Sequence, residues 1–158
     1  MITIASTRFN NETYNENMTY KRENQLEGCI YGIPIPISEK IPLNSWVIIC
    51  EMNNSINKIM GFGLIQNYLY VNKYHKIYSK GNYNRFTYQG KYYINRDEIN
   101  QNEQFILEDL EKIVFNGKGH LKRGFGITTV PDKKMKNLNY NITKETAKLF
   151  LTRFHILN

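Results

Sequence analysis

The sequence predicts an α+β fold in a single domain spanning 1–158, and three observations predict it. Strand-sized apolar runs fall early in the chain, at 2–6, 46–50 and 59–65. Two segments with helical spacing, 102–115 and 142–157, fall late in it. No linker, internal repeat or low-complexity stretch divides the 158 residues, an ordinary length for one domain.

The elements follow in order. Residues 2–7 roughly alternate, with Ile2 and Ile4 against Thr3, as a half-buried strand does. Residues 9–26 are polar and rich in Asn and Glu, with a short helix over 12–24. The run 29–37 contains Pro34 and Pro36, which cannot donate to a ladder, so it is an edge or extended segment. Residues 45–52 form the clearest strand, 53–57 read as a turn, and 58–66 return to complete a hairpin. Gly61 and Gly63 alternate within that return, which implies a sharp bend or the close approach of another group.

Residues 68–78 read as strand plus loop. Gln89 and Gly90 separate 84–88 from 91–95 and signal a second hairpin. Over 102–115, Ile106, Leu107, Leu110, Ile113 and Val114 form an apolar stripe that Asn116 and Gly117 stop. Glu108, Asp109, Glu111 and Lys112 fall on the water side of that helix. A glycine- and lysine-rich loop, 118–131, runs into a strand over 126–130. In the last helix Asn141 or Thr143 is the cap, and Ala147, Phe150, Leu151 and Phe154 share one face. Leu149 and Ile156 fall on its other side, so this helix is covered on both sides or forms an interface.

Charge narrows the function. Lys and Arg number 21 against 14 Asp and Glu, a net charge of +7. Residues 1–79 carry +1 of it and 80–158 carry +6, although 97–111 hold six acids and no base. A one-sided surplus points to a polyanionic partner. Nucleic acid comes before membrane, because no long helix joins a basic face to a broad apolar one. Part of the bias has a plainer source: Asn, Ile, Lys and Tyr all have codons made only of A and T, and Lys outnumbers Arg 15 to 6. Placement therefore carries more weight than content. No apolar run nears the roughly 18 residues of a membrane span, and the start lacks a signal-peptide pattern. Two cysteines, Cys29 and Cys50, make no disulfide framework, so an intracellular setting without membrane attachment is expected.

Most catalytic constellations fail. Gly119 and Gly124 have P-loop spacing, but Phe125 and Gly126 stand where Lys and Ser or Thr are needed, and the loop follows a helix. Cys29, Cys50, His75, His120 and His155 show no zinc spacing, so no metal or other cofactor is expected. The first reading is a binding module without catalysis. A phosphodiester-cleaving enzyme using His120 with Lys122 is the remoter alternative.

The loop 118–131 suits phosphate contacts. Lys118, Lys122 and Arg123 supply charge, His120 a donor, and the glycines allow close backbone approach. An ordinary flexible surface loop has the same composition. Tyr68, Tyr70, Tyr74, Tyr78, Tyr83, Tyr88, Tyr92 and Tyr93 interleave with Lys73, Lys76, Lys80, Arg85 and Lys91. Such a pattern offers stacking platforms beside cations, or rings packed into the core. Trp46 either lines a pocket that stacks a base or belongs to the core.

The run from Ile2 to Ser6, the polar insertion after it, the apolar strand from Trp46 to Met52 and the glycine-bearing return from Ile59 to Ile65 together resemble the PUA-like superfamily, particularly its EVE and YTH members. The chain as a whole also resembles a family of proteins from large DNA viruses. The resemblance implies a small PUA-like β-barrel flanked by helices, with a pocket that in some relatives receives a modified base. It places Ser6, Asn10 and Asn11 on that pocket, with Trp46 and Tyr31 as its aromatic candidates. A base would stack there, and phosphates of RNA or modified DNA would meet Lys118, Lys122, Arg123 and Arg85. The alternative from another class is a viral structural or protein-interaction domain with a basic face. A viral origin would place the chain in the host cytoplasm or nucleus.

Overall fold

The structure is a computed structural model describing residues 1–71 and 73–157. Its centre is an open five-stranded sheet in the order β6-β4-β3-β1-β7. Strand β1 (Ile2–Phe9) lies parallel to β3 (Trp46–Asn53), with Ile2 opposite Trp46 and Phe9 opposite Asn53. β3 and β4 (Lys58–Gln66) form the expected antiparallel hairpin. β6 (Tyr92–Asn95) and the short β7 (Thr128–Thr129) are the edges. A separate two-stranded ribbon pairs β2 (Cys29–Ile33) with β5 (Phe86–Gly90).

Side-chain alternation along the central strands sorts residues to two faces, and each face is covered. One carries Ile4, Ile48, Cys50, Met52, Phe62 and Leu64 against α2 (Gln104–Phe115) and α4 (Ile142–Phe154). The other carries Ala5, Phe9, Val47, Ile49 and Ile65 against the β2–β5 ribbon, with Tyr14 and Tyr20 of α1 (Asn11–Glu23) packed alongside. Leu149 is buried like Phe150, so α4 is covered on both sides, while Phe154 remains exposed at its end. A four-residue helix, α3 (Asp132–Met135), was not foreseen.

Two expectations are corrected. The segments flanking Gln89 and Gly90 are not a hairpin: β5 pairs with β2, and β6 pairs with β4. The chain turns a corner from one sheet to the other, and Gly90 lies so close to the Leu64 carbonyl that a Cβ would stand 2.0 Å from that oxygen. Nor does Glu111 face water. It accepts from the Ile59 N–H (2.8 Å) and pairs with Arg96 (2.9 Å), tying α2 to β4. Among the described residues no helix is long and apolar enough to cross a membrane.

Candidate functional site

A cleft of about 410 Å³ opens where β1 ends and α1 begins. Thr7, Arg8 and Phe9 come from β1, Glu12, Thr13 and Glu16 from α1, and Ile33 and Pro34 from the end of the ribbon. Tyr78, Ser79, Lys80 and Tyr83 form one wall, and Gly124, Phe125 and Gly126 another. The helix starts here because Asn10 caps it: its Oδ1 accepts from the Thr13 N–H (2.8 Å), and the Thr13 hydroxyl accepts from the Asn10 N–H (3.0 Å). Glu16 accepts from the Ser79 N–H through Oε2 (2.8 Å), which fixes its carboxylate on the rim.

The basic loop is held down by its backbone. Arg8 Nη1 donates to Ser6 Oγ and the Leu121 carbonyl, both at 3.1 Å. Its Nη2 donates to the Gly126 carbonyl (3.1 Å) and Thr128 Oγ1 (2.8 Å). Asn54, in the β3–β4 turn, donates from Nδ2 to the Lys122 carbonyl (3.0 Å). Three carbonyls of one loop are thus anchored to the sheet. No carboxylate pairs with this arginine among the described residues, and burial lowers its pKa to about 10, so it remains a cation at neutral pH. Pinned in this way, the loop presents Phe125 with 67% of its surface exposed.

The residues expected to act are divided by the structure. Asn10 lines the cleft, while Asn11 sits beside it, its N–H donating to Ser55 Oγ and its Oδ1 accepting from Asn53 Nδ2 (both 3.0 Å). Ser6 is buried and accepts from Arg8. Lys118 and Arg123 are exposed, and Lys122 is half-buried. Arg123 directly precedes the Gly124–Gly126 wall, and Arg85 directly precedes Phe86, which pairs with the cleft-lining Ile33. His120 is turned to local use, its Nδ1 accepting from the Lys122 N–H (3.2 Å).

The two aromatic pocket candidates are elsewhere. Trp46 lies at the start of β3, the far end of the sheet from the cleft, packed against the α2 and α4 core. Tyr31 is fully enclosed, its hydroxyl donating to Glu51 Oε2 (2.8 Å). Tyr31 cannot stack a base as placed, and Trp46 is half-buried and lies outside the cleft. Of the tyrosine-rich block, Tyr78 and Tyr88 are core, Tyr83 lines the cleft, and Tyr68, Tyr70 and Tyr74 are exposed.

Arg8, Glu12, Glu16, Asn54 and Phe125 line the cleft and were missed as site residues, while Lys80, one of the cations set among the tyrosines, lines it too. Two carried a signal. Arg8 shares the Ile2 and Ile4 side of an alternating strand, where an apolar residue belongs, and Phe125 is a lone large ring among glycines in a polar loop. Glu51 was also missed: an acid in a run otherwise fit for the interior. It is fully buried, accepting from Tyr31 and from the Tyr93 hydroxyl (2.9 Å), with Lys21 Nζ 3.8 Å above the Tyr93 ring. Burial raises its pKa above the ordinary carboxylate value, and Lys21 and the two hydroxyls pull it back down.

No protein-family model, no curated protein and no solved structure matches this chain. Among the described residues no three His, Cys, Asp or Glu side chains gather as a metal-binding group.

Proposed function

We propose that this protein is a nucleic-acid-binding module that takes a single unpaired base, of RNA or of modified DNA, into the β1–α1 cleft. The observation that carries the reading is Phe125, exposed and anchored on a basic loop at the mouth of a cleft sized for a small ligand. Phe125 and Tyr83 supply faces for stacking, Thr7 and Thr13 supply polar groups, and the strand leaving the cleft runs past Arg123, Lys122 and Arg85. Lys118 extends the same basic loop. Kinship with PUA-like proteins is part of the proposal. The cleft follows the first strand, as the resemblance implies, and the β2–β5 ribbon packs over one face of the open sheet where a barrel would close.

The test is equilibrium binding of short single-stranded oligonucleotides to the wild type and to Phe125→Ala. Stacking of one base is worth about 1–3 kcal/mol, so the variant should bind roughly 5- to 150-fold more weakly. Undiminished binding by the variant would remove the cleft from the account.

A protein-interaction domain is the second reading. Its supporting observation is the exposed Leu43, Tyr68, Val71 and Tyr74, an apolar set in the segments flanking β3 and β4 away from the cleft. Wild-type protein that binds no oligonucleotide at low salt would favour it.

A further inference from the structure

Resting on the proposed base-binding role, we infer that the cleft is built for guanine. Glu12 and Glu16 stand one helical turn apart on α1, and both line the cleft. A carboxylate only accepts hydrogen bonds, so this wall calls for a ligand edge rich in N–H donors. Glu16 is the fixed member of the pair. Its Oε2 is held by the Ser79 N–H, and its Oε1 accepts from no other group among the described residues.

Lys80 lies next in the chain to Ser79 and also lines the cleft, its ammonium making no ion pair among the described residues. The cleft lining thus carries both a fixed acceptor and a cationic donor. Among the common bases, only guanine presents two adjacent donors, N2–H and N1–H, followed by an acceptor, O6. Adenine has one donor followed by an acceptor, cytosine one donor followed by two acceptors, and uracil one donor between two acceptors. A carboxylate facing any of those three meets at least one lone pair in the position where guanine has a second N–H. Phe125 and Tyr83 stack whichever base enters; Glu16 and Lys80 select among them.

The experiment uses a short oligouridine carrying one central guanosine, and the same strand with that position changed to inosine, adenosine, cytidine or uridine. Binding is measured by fluorescence anisotropy to the wild type, Phe125→Ala, Glu16→Gln and Lys80→Met. The wild type should prefer guanosine over adenosine, cytidine and uridine by about tenfold or more, the worth of one good bidentate base contact. Inosine, which lacks the N2 amine, should fall between. Glu16→Gln should abolish the guanosine preference while stacking affinity persists, and Lys80→Met should weaken guanosine and inosine together. Two results overturn the inference. Equal binding of all five strands, still lost in Phe125→Ala, refutes guanine selection and leaves the base-binding role standing. No binding of any strand by the wild type refutes both.

Discussion

Glu51 and the two glycines of β4 explain one another. A Cβ on Gly63 would stand 2.0 Å from the Tyr31 hydroxyl, and one on Gly61 would stand 2.4 Å from the Tyr93 hydroxyl. Those hydroxyls lie there because both donate to Glu51, which sits at a register shift between β3 and β4. The alternating glycines therefore mark a close approach, the second of the two options their spacing allowed. The consequence for pH follows from the sign of the shift. Glu51 has its folded pKa raised above the unfolded value near 4.5, mainly by burial. Its contribution is fully present below that value and is lost as pH rises through the raised folded pKa, because the folded protein must then carry a buried charge. Urea unfolding across this window should show the wild type losing stability relative to Glu51→Gln as pH increases. A constant difference between the two proteins would show that Glu51 keeps its unfolded pKa.

Among the elements, α1 joins the cleft to the core. Its start is capped by Asn10 at the cleft, and its middle is tied down by Asn17, whose Nδ2 donates to the Ile30 carbonyl (2.7 Å) and to the Tyr78 hydroxyl (3.1 Å). Asn10→Ala should cost about 1 kcal/mol of stability, and Asn10→Asp should restore most of it, since an acid also caps. Thermal unfolding of the three proteins measures this, and an Ala variant as stable as the wild type would mean the cap contributes nothing. The helix was legible in outline from its polar, Asn- and Glu-rich sequence, while its Asn10 cap came from the structure. The β5 and β6 pairing was not legible. Gln89 and Gly90 look like a hairpin turn locally, but each flanking strand finds a different long-range partner, and local turn chemistry cannot report that.

Across the molecule, the surplus charge includes a loop that is anchored by three carbonyls and exposes Lys118 and Arg123. Phosphate binding by such a loop should be salt-dependent. On single strands, each phosphate that a protein cation neutralises adds about 0.7 to the steepness of log affinity against log salt. The double substitution Lys122→Gln with Arg123→Gln should flatten the salt dependence of oligonucleotide binding by roughly twice that, while the preference among bases is retained. An unchanged slope would place the phosphates elsewhere on the surface.

Local periodicity, capping residues and charge were enough to establish the α+β class, the β3–β4 hairpin, both long late helices and the basic character of the loop. Asn10 was placed near a pocket by none of these signals, only by the resemblance to PUA-like proteins. Which aromatic rings reach solvent is a tertiary matter. Trp46 and Tyr31 were reasonable pocket candidates by type, yet one faces the helix-covered core at the far end of the sheet and the other is locked onto Glu51. Phe125 was passed over, although its place between two pinned carbonyls holds it at the cleft mouth. The physical reason is that exposure depends on what packs above or anchors a residue, and those partners can lie far off in sequence, as in the bonds from Arg8 to Leu121, Gly126 and Thr128 that pin the Phe125 loop.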